Sequence, residues 1–349
     1  MLILPSNALE AFVSNFFDNK NWRKDWNIAQ MPQDASSRVY YKLSATNSLS
    51  YNFMQSPRSF LVMYDNNTAG DNVASFVHVG EYLRNIGLSV PQIHVYDSQI
   101  GAAIIEDLGN MTINKFLSQC HDQKAEIQVY HSALGALLHM QTASVEKPLQ
   151  LSKYTDELRL ISMRNFFCDG YWRYKTGERM LQDLQDEFLY LWGRVLSAVS
   201  SFGPDVMLHR DYHVDNLFYL PDMMEHKKIG IIDFQDAMYG NRVADVAMLL
   251  DDARRFVSDA VRQSAQDYYI GVSGIDKHDF LEAYNILSAQ CNMRILGIFA
   301  TKAINGDNRY IQYMSRVLSY LTTNLLCDSL SPIRNLLQKN IFFDRLWIV

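Results

Sequence analysis

Apolar and polar positions follow two distinct rhythms along this chain. Residues 7–17 carry the spacing of an amphipathic helix, and "DASSRVYYKL" and "SFLVMYDN" alternate or run apolar in the manner of strands. In "ASFVHVGEYLRNIGL" the residues Phe76, Val79, Tyr82, Leu83 and Ile86 recur at helical spacing, and Gly87 follows as a natural stop. "PQIHVYD" and "GAAIIEDLG" read as two further strands, so the order is β-β-α-β-β. From about residue 111 onward helical periodicity dominates, as in "QVYHSALGALLHMQT" and "LQDLQDEFLYLWGRVLSAVSSF". The exception is a pair of short apolar runs, "NLFYL" and "KIGIID", whose polar connection predicts a buried hairpin. The pattern predicts an α+β chain with a small antiparallel-sheet lobe over residues 1–108 and a mostly helical lobe over residues 109–349.

Composition narrows the function classes. A chain of 349 residues has room for two lobes, since single cores stop growing at roughly 250 to 300 residues. With 48% hydrophobic and 20% charged residues, neither a disordered nor a fibrous chain fits. The formal charge of −6 argues against a nucleic-acid binder. Cys120, Cys168, Cys291 and Cys327 lie far apart without a CxxC pair, so neither a zinc site nor a disulfide framework is expected. The start lacks the basic region of a signal peptide, and no apolar run reaches the roughly 18 residues of a membrane span. A cytoplasmic protein without a membrane partner is the expectation; oligomeric state has no signature in the sequence.

The chemistry concentrates in "LHRDYHVDNLFYLPDMMEHKKIGIIDFQDA", residues 208–237. His209, Asp211 and Asn216 share one loop, and Asp233 ends the apolar run "IGII". Asn216 and Asp233 offer the oxygens that suit a hard cation such as Mg²⁺, and Asp211 is left to orient a hydroxyl and take its proton. That is the division of labour in kinase-type phosphoryl transfer from ATP. The plainer alternative makes the three residues turn and cap positions around a hairpin.

"LHRDYHVDNLF" with "IGIIDFQDAMYGNRVADVAMLL" resembles the catalytic segment of the aminoglycoside phosphotransferase-like kinases. "DASSRVYYKL", "FLVMYD", "VPQIHVYD", "IIEDLG", "RILGIFA" and "NRYIQYMSRVLSYL" extend the likeness, collinearly, to bacterial anomeric sugar kinases acting on N-acetylmuramate and N-acetylglucosamine. The resemblance implies a bilobal protein-kinase-like fold, a nucleotide-binding first lobe with the hinge, and a second lobe holding the catalytic loop and acceptor site. It implies Asp211 as base, Asn216 and Asp233 as metal ligands, His209 as an organiser of the loop and Asp245 as its buttress.

The first lobe departs from the protein-kinase pattern. No G-x-G-x-x-G loop is present, and Met63 stands where a strand lysine is expected. "DASSR" either covers the phosphates with Ser36, Ser37 and Arg38 or is a polar turn; the resemblance favours the first. Backbone groups at Glu106, Asp107 and Leu108 are expected to hold adenine. "NFFCDGYWRYKTG" either presents Asp169, Tyr171 and Trp172 to a sugar ring or is core, and Arg294 either meets an acidic substrate group or pairs with an acid. The expected activity is ATP- and Mg²⁺-dependent transfer of the γ-phosphoryl group to a sugar hydroxyl, the anomeric one of an amino sugar. The rivals are a kinase for an aminoglycoside, choline or homoserine-type acceptor, and a non-catalytic nucleotide-binding protein.

Overall fold

The structure, a computed structural model, describes residues 4–19, 26–32, 38–45, 59–65, 71–143, 149–200 and 202–340. They divide into two compact units, one spanning 1–111 with 145–149 and 220–236, the other spanning 112–144, 150–219 and 237–349. Segment 220–236, which the sequence reading assigns to the C-terminal lobe, thus belongs with the sheet unit.

The first unit is built on an antiparallel sheet in the order β1-β2-β3-β5-β4, with β1 Trp26–Gln30, β2 Arg38–Ala45, β3 Ser59–Asp65, β4 Ile93–Asp97 and β5 Ala102–Glu106. Strands β2 to β5 fall where the alternation predicts them. The edge strand β1 is additional; none of its residues is fully buried, so its sequence shows little apolar alternation. Register pairs Tyr41 with Val62 and Leu43 with Phe60, which lines these residues up on one face. Against them α1, Asn7–Asn19, buries Leu9, Val13, Phe16 and Phe17. Each such side chain contributes about 1.5–3 kcal/mol over leaving it in water.

Helix α2, Asp71–Asn85, is followed by Gly87 at φ 90°, the left-handed stop that its sequence predicts. Residues 220–236 close on themselves in a turn and are tied to the rest of this unit by a short strand and a ring contact. The Leu220 amide donates to the Lys228 carbonyl at 2.8 Å, and within strand Ile229–Ile231 the Ile231 amide donates to the Ser89 carbonyl at 2.8 Å. Phe234 then stacks on Phe76 of α2, ring centroids 4.8 Å apart. Asp233 is held between these two anchors.

The second unit is helical: α3 Ile113–Gln119, α4 Gln123–Thr142, α5 Asp156–Met163, α6 Trp172–Thr176, α7 Gln182–Val199, α8 Ala244–Leu250, α9 Asp259–Ser273, α10 Lys277–Ile304, α11 Ile311–Asn324 and α12 Ser331–Asn340. It also contains the short strand Leu217–Tyr219 and an antiparallel pair, Asp205–Leu208 with Met238–Asn241, too short to leave a period in the sequence. Between α5 and α6 the backbone widens to a π-helical turn, Arg164–Tyr171, laid against α10. Two glycines permit that approach. A Cβ on Gly297 would lie 2.0 Å from the Phe166 carbonyl oxygen, and one on Gly170 would lie 2.9 Å from that of Gly297.

This packing corrects the reading of the aromatic cluster as a sugar platform. Tyr171 is 1% exposed and stacks on Phe167, which stacks on Phe188; Trp172 is buried as well. Their faces are spent on the core. Asp169 alone of the three expected residues is exposed.

Candidate active site

The segment of the second unit expected to form the catalytic loop gives nearly every peptide a fixed partner. Strand Asp205–Leu208 ends at His209, which is fully buried. Arg210 follows at φ 71°, a left-handed conformation that a non-glycine residue keeps only where its surroundings impose it. Here Asp245, in the first turn of α8, imposes it: the His209 amide donates to its Oδ2 at 2.6 Å and the Arg210 amide to its Oδ1 at 2.9 Å. Burial pushes the Asp245 carboxyl upward, against the pull of His209 and the two amides. His209 Nδ1 accepts from the Asp211 amide at 3.2 Å, and its ring meets Tyr212 edge-on. Tyr212 donates through its hydroxyl to the Ala133 carbonyl at 2.7 Å, and the Val214 amide donates to Asp252 at 2.9 Å.

The loop so held presents Asp211, whose side chain is 53% exposed. Its Oδ2 lies 3.3 Å from His213 Nε2. Asn216 donates its amide to the Asp211 carbonyl at 3.0 Å and to Asp211 Oδ2 at 3.1 Å. The nitrogen is thereby engaged and Asn216 Oδ1 is the atom left to accept or to ligate. Burial pushes the Asp211 carboxyl up, but His213, then Arg254 and His209, pull it well below the usual carboxylate range.

In the first unit Asp233 has φ 60°, and its Oδ1 lies 3.4 Å from Nη1 of Arg38, the first residue of β2. The Tyr40 hydroxyl beside this pair is pushed up to about 12, by burial first and by the Asp233 charge second. Arg38 therefore reaches the carboxylate expected to hold metal; Ser36 and Ser37 lie outside the described residues. Met63 is fully buried.

The first unit places a second cation besides Arg38. Lys42 Nζ of β2 lies 2.7 Å from Asp107 Oδ2. Asp107 also accepts from Ser59 Oγ at 2.7 Å and from the Gly109 amide at 2.9 Å. Burial opposes ionisation of this carboxyl, yet Lys42, Ser59 and Gly109 together lower it. The neighbouring Glu106 closes on Gln92, accepting its amide at 3.0 Å through Oε2 and donating its own amide to the Gln92 carbonyl at 2.8 Å. Leu108 is half-buried. The Glu106 amide, at the start of the expected hinge, is thus already paired.

Arg294 lies on α10 near Tyr154, Arg159, Arg210 and Gln290, all within the second unit. Arg159 and Gln290 carried no signal in the sequence; they are 131 positions apart and meet only through the fold, with Arg159 Nη1 donating to Gln290 Oε1 at 3.0 Å.

Taken singly, each expected metal ligand offers chemistry that suits magnesium. Asn216 Oδ1 and the Asp233 carboxylate are hard oxygens, the kind Mg²⁺ takes beside waters and phosphate oxygens.

The family model described as "Phosphotransferase enzyme family" matches residues 27–282. An N-acetylmuramate/N-acetylglucosamine kinase of Caulobacter vibrioides is 30% identical over 337 residues, which covers 89% of this chain and 90% of that one. The protein of the same name from Pseudomonas aeruginosa is 30% identical, covering 83% and 81%. Among solved structures, ADP-bound aminoglycoside phosphotransferase APH(2'')-Ib superposes with a TM-score of 0.60 at 14% identity, covering 92% of this chain and 98% of that one. Choline kinase from Cryptosporidium parvum superposes with a TM-score of 0.59 at 13% identity, covering 93% and 99%. At such identities the last two share the fold alone, which is the bilobal protein-kinase-like one. Among the described residues no helix is long and apolar enough to cross a membrane. With a family model spanning most of its length and a relative 30% identical over 89% of it, the chain belongs to the phosphotransferase enzyme family and is an ATP-dependent phosphotransferase acting on an alcohol group.

Proposed function

We propose that this enzyme is a sugar kinase that phosphorylates the anomeric hydroxyl of an amino sugar. The observation that carries the reading is Asp211: an exposed carboxylate fixed by His213 and Asn216 on a loop whose backbone is clamped by Asp245. The names of the Caulobacter and Pseudomonas relatives support the sugar acceptor. Asp211 orients the hydroxyl and takes its proton, the hydroxyl oxygen bonds to the γ-phosphorus of ATP, and the bond from that phosphorus to the β,γ-bridging oxygen breaks to release ADP. A carboxylate kept this acidic is a weak base, and it accepts the proton late. An anomeric hydroxyl, more acidic than an ordinary alcohol, suits such a base.

Asn216 Oδ1 and Asp233 are the residues that would hold Mg²⁺, which neutralises phosphate charge when bound. His209 and Asp245 act as positioning residues for Asp211. In the first unit Glu106, Asp107 and Leu108 would receive the adenine through backbone groups, and Arg38 with Ser36 and Ser37 would meet the phosphates. Asp169 and Arg294 are assigned to the acceptor side.

The test is a coupled ADP-release screen over amino sugars, aminoglycosides, choline and homoserine, with phosphorus NMR of the product. Turnover of amino sugars to a product phosphorylated at C1 is expected. Turnover confined to aminoglycosides or to amino alcohols would replace the sugar reading.

A further inference from the structure

Val214, between Asp211 and Asn216, is where their loop is fastened from its downstream side. The residue is fully buried, and both its main-chain polar groups bond outside the loop. Its amide donates to Asp252 Oδ2 at 2.9 Å, and its carbonyl accepts the Asn114 amide of α3 at 3.2 Å. Within the turn itself the His213 amide donates to the Asp211 carbonyl at 3.1 Å, and the Asn216 amide to that of His213 at 3.0 Å. All these residues belong to the second unit.

Asp252 lies just past the end of α8, the helix whose first turn carries Asp245. It is 2% exposed, and its second oxygen, Oδ1, accepts the Arg254 amide at 2.8 Å. Each oxygen thus takes a main-chain N–H, as the two oxygens of Asp245 take those of His209 and Arg210. Arg254 reaches back to the loop: its Nε lies 3.4 Å from Asp215 Oδ2, and Asp215 Oδ1 accepts Asn114 Nδ2 at 2.9 Å. Burying a carboxylate is costly, and charge-assisted bonds to two peptides are what it gives in return.

The two carboxylates grip the main chain on opposite sides of Asp211. A turn held on one side alone can swing about that hold, carrying its side chains with it; held at 209–210 and again at 214, it cannot. Asp211 is the residue whose aim this protects, because it stands between the two grips. We propose that Asp252 is a positioning residue for phosphoryl transfer, holding the downstream limb of the loop as Asp245 holds the upstream limb and so keeping Asp211 aimed at the acceptor hydroxyl. The inference rests on the reading of Asp211 as the group that takes the proton. Misplacing a reacting group by on the order of 1 Å costs about 100-fold in rate, so a grip remote from substrate still shows in turnover.

The test pairs kinetics with hydrogen exchange in Asp252→Ala and Asp252→Asn, the second keeping one acceptor oxygen. With N-acetylglucosamine as acceptor, kcat is expected to fall about 10- to 100-fold in Asp252→Ala and less in Asp252→Asn, while KM for ATP stays within about threefold. In the Asp211→Asn background either change should cost clearly less than in the wild type, and equal losses in both backgrounds overturn the proposal. Should Asp252→Ala fail to fold, Asp252→Asn carries the same comparison. Asp251→Asn is the control. Asp251 is equally buried but accepts from Arg262, Tyr284 and Ser288 on α9 and α10, so its loss should lower the thermal midpoint and spare kcat. If Asp251→Asn reproduces the kinetic pattern of Asp252→Asn, the effect is general loosening and the assignment falls. Amide exchange read by mass spectrometry on a peptide spanning 209–216 should quicken about tenfold or more in Asp252→Asn, with α4 unchanged. Exchange at the wild-type rate overturns the grip. If the wild type leaves N-acetylglucosamine unphosphorylated, or Asp211→Asn turns over like wild type, the reading of Asp211 has failed by itself, and the exchange rates alone decide whether Asp252 holds the loop.

Discussion

Arg38 Nη1 lies 3.4 Å from Asp233 Oδ1, and the guanidinium is nearly buried while the carboxylate is 41% exposed. The pair fixes an acid in a left-handed backbone position, φ 60°. Removing Arg38 should free that carboxylate and also take a cation from the region assigned to phosphate. Arg38→Ala is expected to raise KM for ATP and lower kcat, each on the order of tenfold or more. Steady-state kinetics with ATP varied at saturating acceptor, repeated across Mg²⁺ concentrations, reads both. Unaltered constants would limit Arg38 to a structural pairing.

Asp233→Ala should abolish turnover together with the Mg²⁺ dependence of ATP binding, since the carboxylate is the charged member of the donor set. Titration of ATP with and without Mg²⁺ checks this. Wild-type affinity that does not respond to Mg²⁺ would refute the metal role.

Asp211→Asn keeps the shape of the loop but removes the acceptor of the proton. A fall of about 10²- to 10⁴-fold in kcat is expected, with ATP affinity unchanged. Near wild-type turnover would remove Asp211 from its assigned role.

The charge on Asp211 also predicts a pH profile. Its folded-state pKa is lowered, burial opposing and His213 leading the groups that pull it down. A lowered acid stays ionised as pH falls past its unfolded value, about 3.9, and any stability it lends is lost only on further acidification. The wild-type acid limb from this group should therefore lie below about pH 4. His213→Ala removes the strongest favourable partner, at 3.3 Å, and should move the limb of kcat/KM upward. A limb that stays in place would show that Asn216 and Arg254 suffice.

The fold was legible in the sequence for a local reason, and the residues proposed as the reacting centre stand out for the same one. Asp211, Asn216 and Asp233 sit within 23 positions, and Phe76 to Ile86 repeat at one helical period, so short windows carry both signals. What was illegible depends on distant pairing. Lys42 meets Asp107 across 65 positions and Arg159 meets Gln290 across 131, and nothing in either window marks the partner. The aromatics near Tyr171 misled for the converse reason: a ring platform and a ring core have the same composition. The close approaches of Gly297 to Phe166 and of Gly170 to Gly297 reveal that this turn is pressed into α10.

Lys42 is the place where two explanations of one cation can be separated. Protein-kinase logic would send a strand lysine to the phosphates, and Met63 occupies that lysine's expected place. In this structure the Lys42 ammonium is 2.7 Å from Asp107, a side chain only 4% exposed that also binds Ser59 and the Gly109 amide at the hinge. If Lys42 serves as a strut of the hinge, its effect on ATP must pass through Asp107. Asp107→Asn alone is expected to raise KM for ATP and to lower stability by about 1–3 kcal/mol, because Lys42 and Gly109 lose a charged acceptor. Lys42→Met should raise KM as well. In the Asp107→Asn background the same Lys42→Met change should then add little, an interaction that a double-mutant cycle in KM and in thermal midpoint measures directly. Additive losses in KM with a full drop in kcat would instead place Lys42 on the transferring phosphate, and Arg38 would lose its claim to that position.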